Sequence, residues 1–315
     1  MSHLWNKLQA KVWPAARRAM GIELAGDRLV AVHAEFVGEV WGITGVEEKR
    51  LAFAPFRGVP RAEDELALAQ ALASLAGAQR QAQPIQFALP DPAALFQIWE
   101  LESLPGTVQE RNALARFRLE KEWPSASKME CVTQPLGVDR ERALMLVIAV
   151  DRAWIECLRG ACRTAGIVPT VMDMTVCHVF NQLHDKLHGQ TSDGALLMME
   201  PHAWTLLLWD QEARPRFVRT RWRETIAGRA SDHEAIAVEV ERLVRAYVLA
   251  APGRIVSSLY VSTEEIDATP IAERLDTRMH TPCIRMDRGQ GLSLYPDIKR
   301  DMLSPGALAA AVLRA

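Results

Sequence analysis

The sequence has almost no excess of charge, because its 315 residues include 37 Lys and Arg and 39 Asp and Glu. Proteins that hold nucleic acid by charge usually carry a net positive field, so this balance makes nucleic acid a poor candidate partner. Cysteine is also scarce: the five residues are odd in number and form no CxxC pair. This pattern argues against a disulfide framework and a thiolate metal site, and it fits a reducing cytoplasm best.

Long hydrophobic runs are missing. The longest, residues 143–150 and 203–209, are far shorter than the roughly 20 residues of a membrane-spanning helix. No signal-peptide core follows Met1. We therefore expect a chain that does not cross a membrane.

Familiar catalytic motifs are absent as well. The sequence has no GxSxG elbow, no Walker turn and no GxGxxG fingerprint, and we interpret Gly289-Gln290-Gly291 as a loop. His184 and His188 have the spacing of a zinc pair, but no third ligand is evident, and Gly189 favours a polar helix end. We expect no metal site and no enzymatic activity.

The first 20 residues form a basic amphipathic segment. Apolar and basic side chains alternate at roughly helical spacing, and Pro14 ends the pattern. The segment comprises Leu4, Trp5, Leu8, Val12 and Trp13 with Lys7, Lys11, Arg17 and Arg18. We favour a short helix that packs on the body or on a partner, and contact with a lipid surface is the alternative.

The next part of the chain has the pattern of a strand meander. GIEL, RLVAVHAEF and EVWGITGVEEKRLAF predict three antiparallel strands, and they are followed by a helix near 63–76 and the buried strand PIQFALP. Residues 91–168 predict an α+β insert, with strands at 93–101 and ALMLVIAV and helices at 110–123 and 151–165. In the first insert helix we expect Leu114, Phe117 and Trp123 to face inward.

The strand order then repeats. GALLMM, AWTLLLWDQ and PRFVRTRW precede a helix near 232–249, so the chain contains two copies of one supersecondary unit and should have two lobes. We assign 1–20 to the N-terminal segment, 21–90 to the first part of the first lobe and 91–168 to the insert. Residues 169–193 return to the first lobe, and 194–315 form the second lobe with the C-terminal helix.

Four segments resemble, in order, those of the PilM family of type IV pilus assembly proteins. They are GIELAGDRLVAVHAE, FALPDPAALFQIWELESLP with RNALARFRLEKEWP, LMLVIAVDRAWIECLRGACRTAGIVPTVMDM, and ALAAAVLRA. The resemblance covers roughly residues 20 to 315, and MshI and the cytoplasmic domain of GspL are relatives of the same design. It implies an α/β, duplicated actin-like (ribonuclease H-like) two-lobed fold with an α+β subdomain inserted as in FtsA.

The resemblance also implies a function and a place in the cell. It indicates a scaffold at the cytoplasmic face of the bacterial inner membrane that binds the cytoplasmic tail of a PilN-like single-pass membrane protein. It further implies communication with the pilus assembly or retraction ATPase, and peripheral membrane association through the partner. The machine itself stays open between a type IV pilus, an MSHA-like pilus and a type II secretion-related system.

The first phosphate turn of this family reads D-I-G-S-x-x-x-K. In this chain Glu23 stands at the acidic position, Ala25 replaces the glycine and Val30 replaces the lysine. A methyl group at Ala25 obstructs a close backbone approach where φ needs to be positive. Asp173 stands at the acidic position of the later segment.

The second phosphate turn falls near Met198 and Glu200. Methionine cannot organise the water shell of Mg²⁺, and a carboxylate beside a triphosphate repels it. The Gly-Gly pair for adenosine is missing after Val261. We therefore predict a pseudo-ATPase with no cofactor, in which ATP and Mg²⁺ are disfavoured. The alternative is a functional actin-like ATP-binding protein in which Glu23 and Asp173 hold the metal.

Aromatic residues of the insert are the candidate partner-binding set: Phe96, Trp99, Phe117 and Trp123. Aromatic side chains supply contact area at a low entropy cost, although each of them can also be ordinary core. Five arginines near residues 214–223 predict a basic sheet face for an acidic partner or lipid headgroups, or a solvated edge strand. They are Arg214, Arg216, Arg219, Arg221 and Arg223.

Overall fold

The computed structural model describes residues 18–37, 40–77, 84–187, 192–200, 202–223, 229–251, 253–263, 268–286, 293–294, 298–299 and 302–312. Two compact units are present: residues 1–90, 157–183 and 287–315 form unit 1, and residues 91–156 and 184–286 form unit 2. The predicted helix near the N-terminus, within residues 1–17, lies outside the described residues.

The strands are β1 Arg18–Ala25, β2 Arg28–Val37, β3 Val40–Arg50, β4 Ile85–Leu89, β5 Ala94–Leu101, β6 Met129–Asp139, β7 Arg142–Asp151, β8 Pro169–Met174, β9 Asp193–Glu200, β10 Ala203–Trp209, β11 Pro215–Trp222, β12 Val256–Thr263, β13 Cys283–Arg285 and β14 Ser293–Leu294. The helices are α1 Ala62–Ala76, α2 Val108–Glu122, α3 Arg152–Ala165, α4 Thr175–Leu187, α5 Arg229–Leu249, α6 Thr269–Met279 and α7 Pro305–Val312. Short 3-10 helices span Asp91–Ala93 and Pro124–Lys128.

Unit 1 contains a mixed sheet with the order β14-β3-β2-β1-β4-β8. β1, β2 and β3 pair antiparallel, whereas β4 runs parallel to β1 and β8 runs parallel to β4. β1, β2 and β4 are rich in Ile, Leu, Val and Ala, which suit strands that are covered by helices.

The C-terminal helix α7 packs on this sheet, against β1, β2 and β4. The contact is close because Gly21 has no side chain: a Cβ there would lie 2.0 Å from the carbonyl oxygen of Ala307. Val30, Val32 and Ile43 form a core with the apolar face of α7. The sequence analysis places this helix with the second lobe, whereas the structure groups residues 287–315 with unit 1.

Unit 2 contains the second sheet, with the order β11-β10-β9-β12-β13. β9, β10 and β11 pair antiparallel, and after α5 the strand β12 runs parallel to β9. This order of three antiparallel strands, a helix and a parallel strand is the order of β1–β3, α1 and β4. The predicted duplication is confirmed.

The insert lies in unit 2 as a three-stranded antiparallel sheet, β5-β7-β6, covered by α2. α2 begins at a capping box, in which Thr107 and Glu110 accept each other's backbone N–H at 3.1 and 3.0 Å. Ala115 and Leu119 form its buried face. Residues four apart share a helix face, and Phe117 is two positions from each of them, so its side chain points to the opposite face. Phe117 is 56% exposed. The expectation that it faces inward is wrong.

None of the helices in the described residues is long and apolar enough to span a membrane.

Candidate functional site

Glu23 lies near the end of β1 and is only 1% exposed. Its Oε2 accepts a hydrogen bond from the backbone N–H of Ala307 at 2.9 Å, and the Thr175 hydroxyl lies 3.4 Å from its Oε1. Ala307 is in the first turn of α7, where backbone N–H groups lack partners within the helix and the dipole favours an anion. The carboxylate at the predicted metal position therefore holds the start of the C-terminal helix.

Gly306 makes room for this contact. A Cβ at that position would lie 2.5 Å from the Glu23 carboxylate carbon. The small residues at the start of α7 thus leave room for the buried carboxylate, and they also allow the close approach of the helix to β1. The sequence analysis did not pair Glu23 with α7, because 284 residues separate Glu23 from Ala307.

In the β1–β2 hairpin, the residue with a positive φ is not Ala25, where the sequence analysis expected it. Ala25 is the last residue of β1 and pairs with Arg28, and Gly26 takes the positive φ, at 62°. Gly26 at the first central position of a two-residue hairpin is typical of a type II′ turn. The left-handed residue of this turn is therefore Gly26, and Ala25 does not need the freedom of glycine.

Val30 pairs with Glu23 across the β1–β2 ladder and is 4% exposed. It belongs to the core cluster under α7, with Val32, Leu303 and Val312 among its members. Lysine is rarely buried without a partner. The apolar residue at this position is therefore explained by packing.

Asp173 lies near the end of β8, next to β4, and is half-buried. The backbone N–H of Met174 donates to its Oδ1 at 2.8 Å. Burial raises the pKa of Asp173, and the nearby His178 opposes that shift. Burial lowers the pKa of His178, whose Nε2 lies 3.0 Å from the carbonyl oxygen of Phe87.

Met198 and Glu200 are both buried in β9. Met198 pairs with Thr205 of β10 and Ser262 of β12, so it occupies the middle of the second sheet. Arg223 donates to the backbone carbonyl of Glu200 at 3.1 Å. Met198 therefore lies between two strand neighbours, whereas Glu200 has one, Ala203 of β10.

The aromatic set divides into two kinds of environment. Phe96 is 8% exposed, and Trp99 packs on the insert core beneath the Arg118 guanidinium, which lies 5.4 Å from the ring centroid. Because side chains alternate along a strand, the two residues lie on opposite faces of β5. Phe117 and Trp123 are 56% and 37% exposed, and the Lys121 ammonium lies 4.4 Å from the Phe117 ring. These two side chains are the exposed members of the set.

The five arginines do not share one sheet face, so that expectation is wrong. A register shift opposite Arg216 interrupts the alternation along β11, and Arg214 and Arg223 lie outside the strand. Arg214 and Arg216 bind the Asp210 carboxylate, both within 3 Å. Arg223 instead binds Asp232 at 2.6 Å, at the start of α5.

Arg214 and Arg216 also link the β10–β11 turn to the β6–β7 turn of the insert. Arg216 donates to the Asp139 carboxylate, and Arg214 donates to the carbonyl oxygen of Val138 at 2.6 Å. These residues line a polar cleft of about 560 Å³ within unit 2. The sequence analysis named Arg214 and Arg216 but not their partners, because those partners come from two hairpins far apart in the chain.

The histidine motif supplies no metal site in the described residues. His184 is half-buried at the end of α4, and His188 lies outside the described residues. In the part of the chain that the structure describes, no group of three His, Cys, Asp or Glu side chains is placed to hold a metal ion.

No protein-family model matches the sequence, and no curated protein is similar to it at a significant level. Solved structures do match. A chain in the structure of a PilM–PilN type IV pilus biogenesis complex has a TM-score of 0.69 and 16% identity, over 93% of this chain and 96% of that one. A Bacteroides thetaiotaomicron protein with an actin-like ATPase fold and unknown function has a TM-score of 0.54 and 8% identity, over 87% and 92%.

The chain has an actin-like fold. The PilM-like, two-lobed architecture with an insert that the sequence predicts is thereby confirmed. A weaker likeness, with a TM-score of 0.46 and 12% identity, is to the cytoplasmic domain of EpsL, an inner membrane component of the type II secretion system of Vibrio cholerae. At these identities the likeness shows the fold alone.

Proposed function

We propose that this chain is a non-catalytic scaffold subunit of the inner-membrane platform of a type IV pilus, an MSHA-like pilus or a type II secretion-related machine. In this role it binds the cytoplasmic tail of a PilN-like single-pass membrane protein. It lies at the cytoplasmic face of the membrane through that partner, and it communicates with the pilus ATPase. The observation that carries the proposal is the likeness to a chain of a PilM–PilN complex over 93% of this chain.

The proposal of a degenerate nucleotide site rests on the surroundings of Glu23. A carboxylate that orders the water shell of Mg²⁺ must face the ligand. Glu23 is buried and accepts a hydrogen bond from Ala307. Val30 and Met198 fill two further positions of the predicted site with buried apolar side chains. We infer that the protein has no nucleotide cofactor.

The proposed contact surface for the tail is the exposed part of the aromatic set, Phe117 and Trp123 on α2 and at its end. Aromatic side chains next to a cation are common anchors in protein interfaces, because they bury a large area and lose little entropy. Lys121 stands beside Phe117. Trp99 packs in the insert core beneath α2, whereas Phe96 lies on the other face of β5, and neither is expected to contact the tail directly.

Tail binding is tested by fluorescence anisotropy with a labelled peptide of the cytoplasmic tail encoded beside this protein. Phe117→Ala and Trp123→Ala should each weaken binding by roughly tenfold or more, as for an interface anchor. Leu66→Ala is the matched control, because Leu66 is also 56% exposed but lies on α1 in unit 1. Binding that is unchanged in both aromatic variants would reject this surface, and no binding by the wild type would reject the partner.

Nucleotide binding is tested with a fluorescent ATP analogue, with and without Mg²⁺. We expect no saturable binding at micromolar concentrations. Micromolar, Mg²⁺-dependent binding that is lost in Glu23→Ala would support the alternative, a functional actin-like ATP-binding protein. The peptide assay is independent of this one, so the result for tail binding does not depend on whether ATP binds.

A further inference from the structure

An arginine cluster of unit 2 lies where the edge strand β11 meets α5. Arg219 and Arg221 are both exposed on β11. They lie beyond the register shift and pair with Leu206 and Trp204 of β10. These two partners belong to the core that α5 covers, and residues opposite each other on paired strands lie on the same sheet face. Both arginines are therefore on the face of the sheet that packs against α5.

α5 supplies the third cation of the cluster. The Arg242 guanidinium donates to both oxygens of the Glu239 carboxylate, at 3.0 and 2.6 Å. Arg221 lies 3.9 Å from the same carboxylate. The hydrogen bond from Arg242 lowers the pKa of Glu239, and the charges of all three arginines lower it further. Glu239 is thus ionised at neutral pH, with guanidinium groups from two elements around it.

The cluster keeps an excess of positive charge after this carboxylate is counted. Among the described residues, Glu239 is the one acidic group in ion-pair contact with the cluster, so three guanidinium groups share a single negative charge. Arg219 has no carboxylate within ion-pair distance in the described part of the chain. The next arginine, Arg223, is paired with Asp232 and is not counted. Two positive charges are therefore left without a counter-charge.

The guanidinium groups of the cluster are open to solvent. The side chains of Arg221 and Arg242 are 48% and 65% exposed. Neighbouring like charges repel each other, so a ligand that brings negative charge lowers the energy of the cluster. The planar N–H donors of a guanidinium match the two oxygens of a carboxylate. The cluster is therefore suited to carboxylates of a ligand.

We propose that this cluster binds an acidic segment of a partner protein, in which two carboxylates about 7 Å apart meet Arg219 and Arg221. Side chains two positions apart on a strand have this separation. An extended segment with acidic residues at alternate positions has the same separation between its carboxylates. The site uses none of the aromatic residues of the insert, so it stands independently of the proposed tail-binding function.

Two synthetic peptides of equal length test the proposal. One alternates glutamate with threonine, and the other has glutamine in place of each glutamate, so the two differ only in charge. Each peptide is titrated against the fluorescently labelled full chain, and thermophoresis measures the Kd. The glutamate peptide should bind at least tenfold tighter, and its binding should weaken as salt is added. Equal binding of the two peptides, or no binding of either, would overturn the proposal.

Variants locate the site. Arg219→Gln and Arg221→Gln should each weaken binding of the glutamate peptide about threefold, as for an exposed ion pair, and the double variant about tenfold. Arg245→Gln is the matched control, because Arg245 is also an exposed arginine of α5 but has its own partner, Glu241. Its binding should equal that of the wild type. A double variant that binds as the wild type does would also overturn the proposal.

Glu239→Gln distinguishes a binding site from an edge strand that is only protected by charge. It removes the carboxylate that competes with the peptide, so binding should become about threefold tighter. Unchanged or weaker binding would contradict the proposal, and thermal unfolding verifies that each variant is folded. Single-stranded DNA of the same charge tests a phosphate ligand. If it binds tenfold tighter than the glutamate peptide and loses this advantage in the double arginine variant, the proposal is wrong.

Discussion

Glu23 is the residue whose surroundings bear most directly on nucleotide binding. It is longer than the aspartate of the family's phosphate turn, and its carboxylate reaches the backbone of α7. A buried ionised carboxylate is tolerated only when hydrogen bonds satisfy it. Ala307 and Thr175 supply donors within the same unit. At the scale of the residue, the Glu23 carboxylate has a structural role in holding the start of α7.

This role makes a prediction for stability. Glu23→Ala should lower the free energy of unfolding by about 1–3 kcal/mol, because the hydrogen bond to the carboxyl group is lost and the buried N–H of Ala307 is left without that acceptor. Urea denaturation followed by circular dichroism measures the change. Glu23→Gln should lose less, since the amide oxygen can still accept that hydrogen bond.

Glu48→Ala is the control for the Glu23 variants. Glu48 lies on β3 and makes an exposed ion pair with Arg28 at 3.3 Å. Exposed ion pairs contribute about 0–1 kcal/mol, so this variant should be close to the wild type. If Glu23→Ala unfolds at the same urea concentration as Glu48→Ala, Glu23 does not anchor α7.

At the scale of the elements, α7 packs closely on β1. A side chain on Gly21 would meet backbone atoms at both positions: Ala307 O at 2.0 Å and Ala311 N at 2.5 Å. Backbone atoms of a helix cannot move aside as a side chain can. The small residues of α7 therefore serve to bring the helix within reach of the sheet.

Gly21→Ala should destabilise the protein by about 1–3 kcal/mol, because α7 must move away from β1 to admit a methyl group. Gly45→Ala on β3 is the matched control: its Cβ would lie 3.4 Å from the nearest atom, the His33 Cδ2. Alanine is also preferred over glycine inside a strand, so the control should be neutral or stabilising. Equal urea midpoints for the two variants would contradict the proposed contact.

The buried face of α2 cannot be predicted by counting apolar residues alone. Leu114, Phe117 and Trp123 form a plausible stripe in the sequence. Leu114 does pack on the insert core beside the buried Ala115 and Leu119, whereas Phe117 and Trp123 are exposed. A small residue permits close packing, and the larger aromatic ring of Phe117 then points outward. The orientation of α2 that places Ala115 and Leu119 on the sheet leaves Phe117 exposed, where the proposed partner could contact it.

At the scale of the molecule, two units have separate cores, and unit 2 joins the insert to the second sheet through buried charges. Arg216 binds Asp210 and Asp139, which belong to different hairpins. A buried ion pair adds little net stability compared with apolar packing, but breaking it leaves an uncompensated charge. The network therefore determines which hairpins contact each other, and it adds little to the net stability of the fold.

Asp139 gives this network a pH dependence. The hydrogen bond from Arg216 holds the pKa of Asp139 below its usual value. A carboxylate with a lowered pKa in the folded state stabilises the protein above its unfolded pKa of about 3.9, and this contribution is lost as the pH falls through the folded pKa. The difference in stability between the wild type and Asp139→Asn should therefore be largest at neutral pH and shrink below about pH 4.

Urea titrations across that pH range measure this difference. Glu122→Gln is the control, because Glu122 is exposed at the end of α2 and makes no ion pair among the described residues. Its stability should follow that of the wild type at every pH. A difference for Asp139→Asn that stays constant below pH 4 would show that the Arg216 contact does not depend on the charge of Asp139.

The sequence by itself determined the order of strands and helices and the duplication, because alternation and helical periodicity are local and each lobe repeats them. The prediction of a degenerate nucleotide site also comes from the sequence, and it stays a prediction. Only the tertiary structure decided that Glu23 anchors α7, that Gly26 takes the left-handed turn position, that Phe117 is exposed, and that the arginines divide between Asp210 and α5. These features depend on side chains brought together from distant parts of the chain, and short-range patterns carry no information about such contacts.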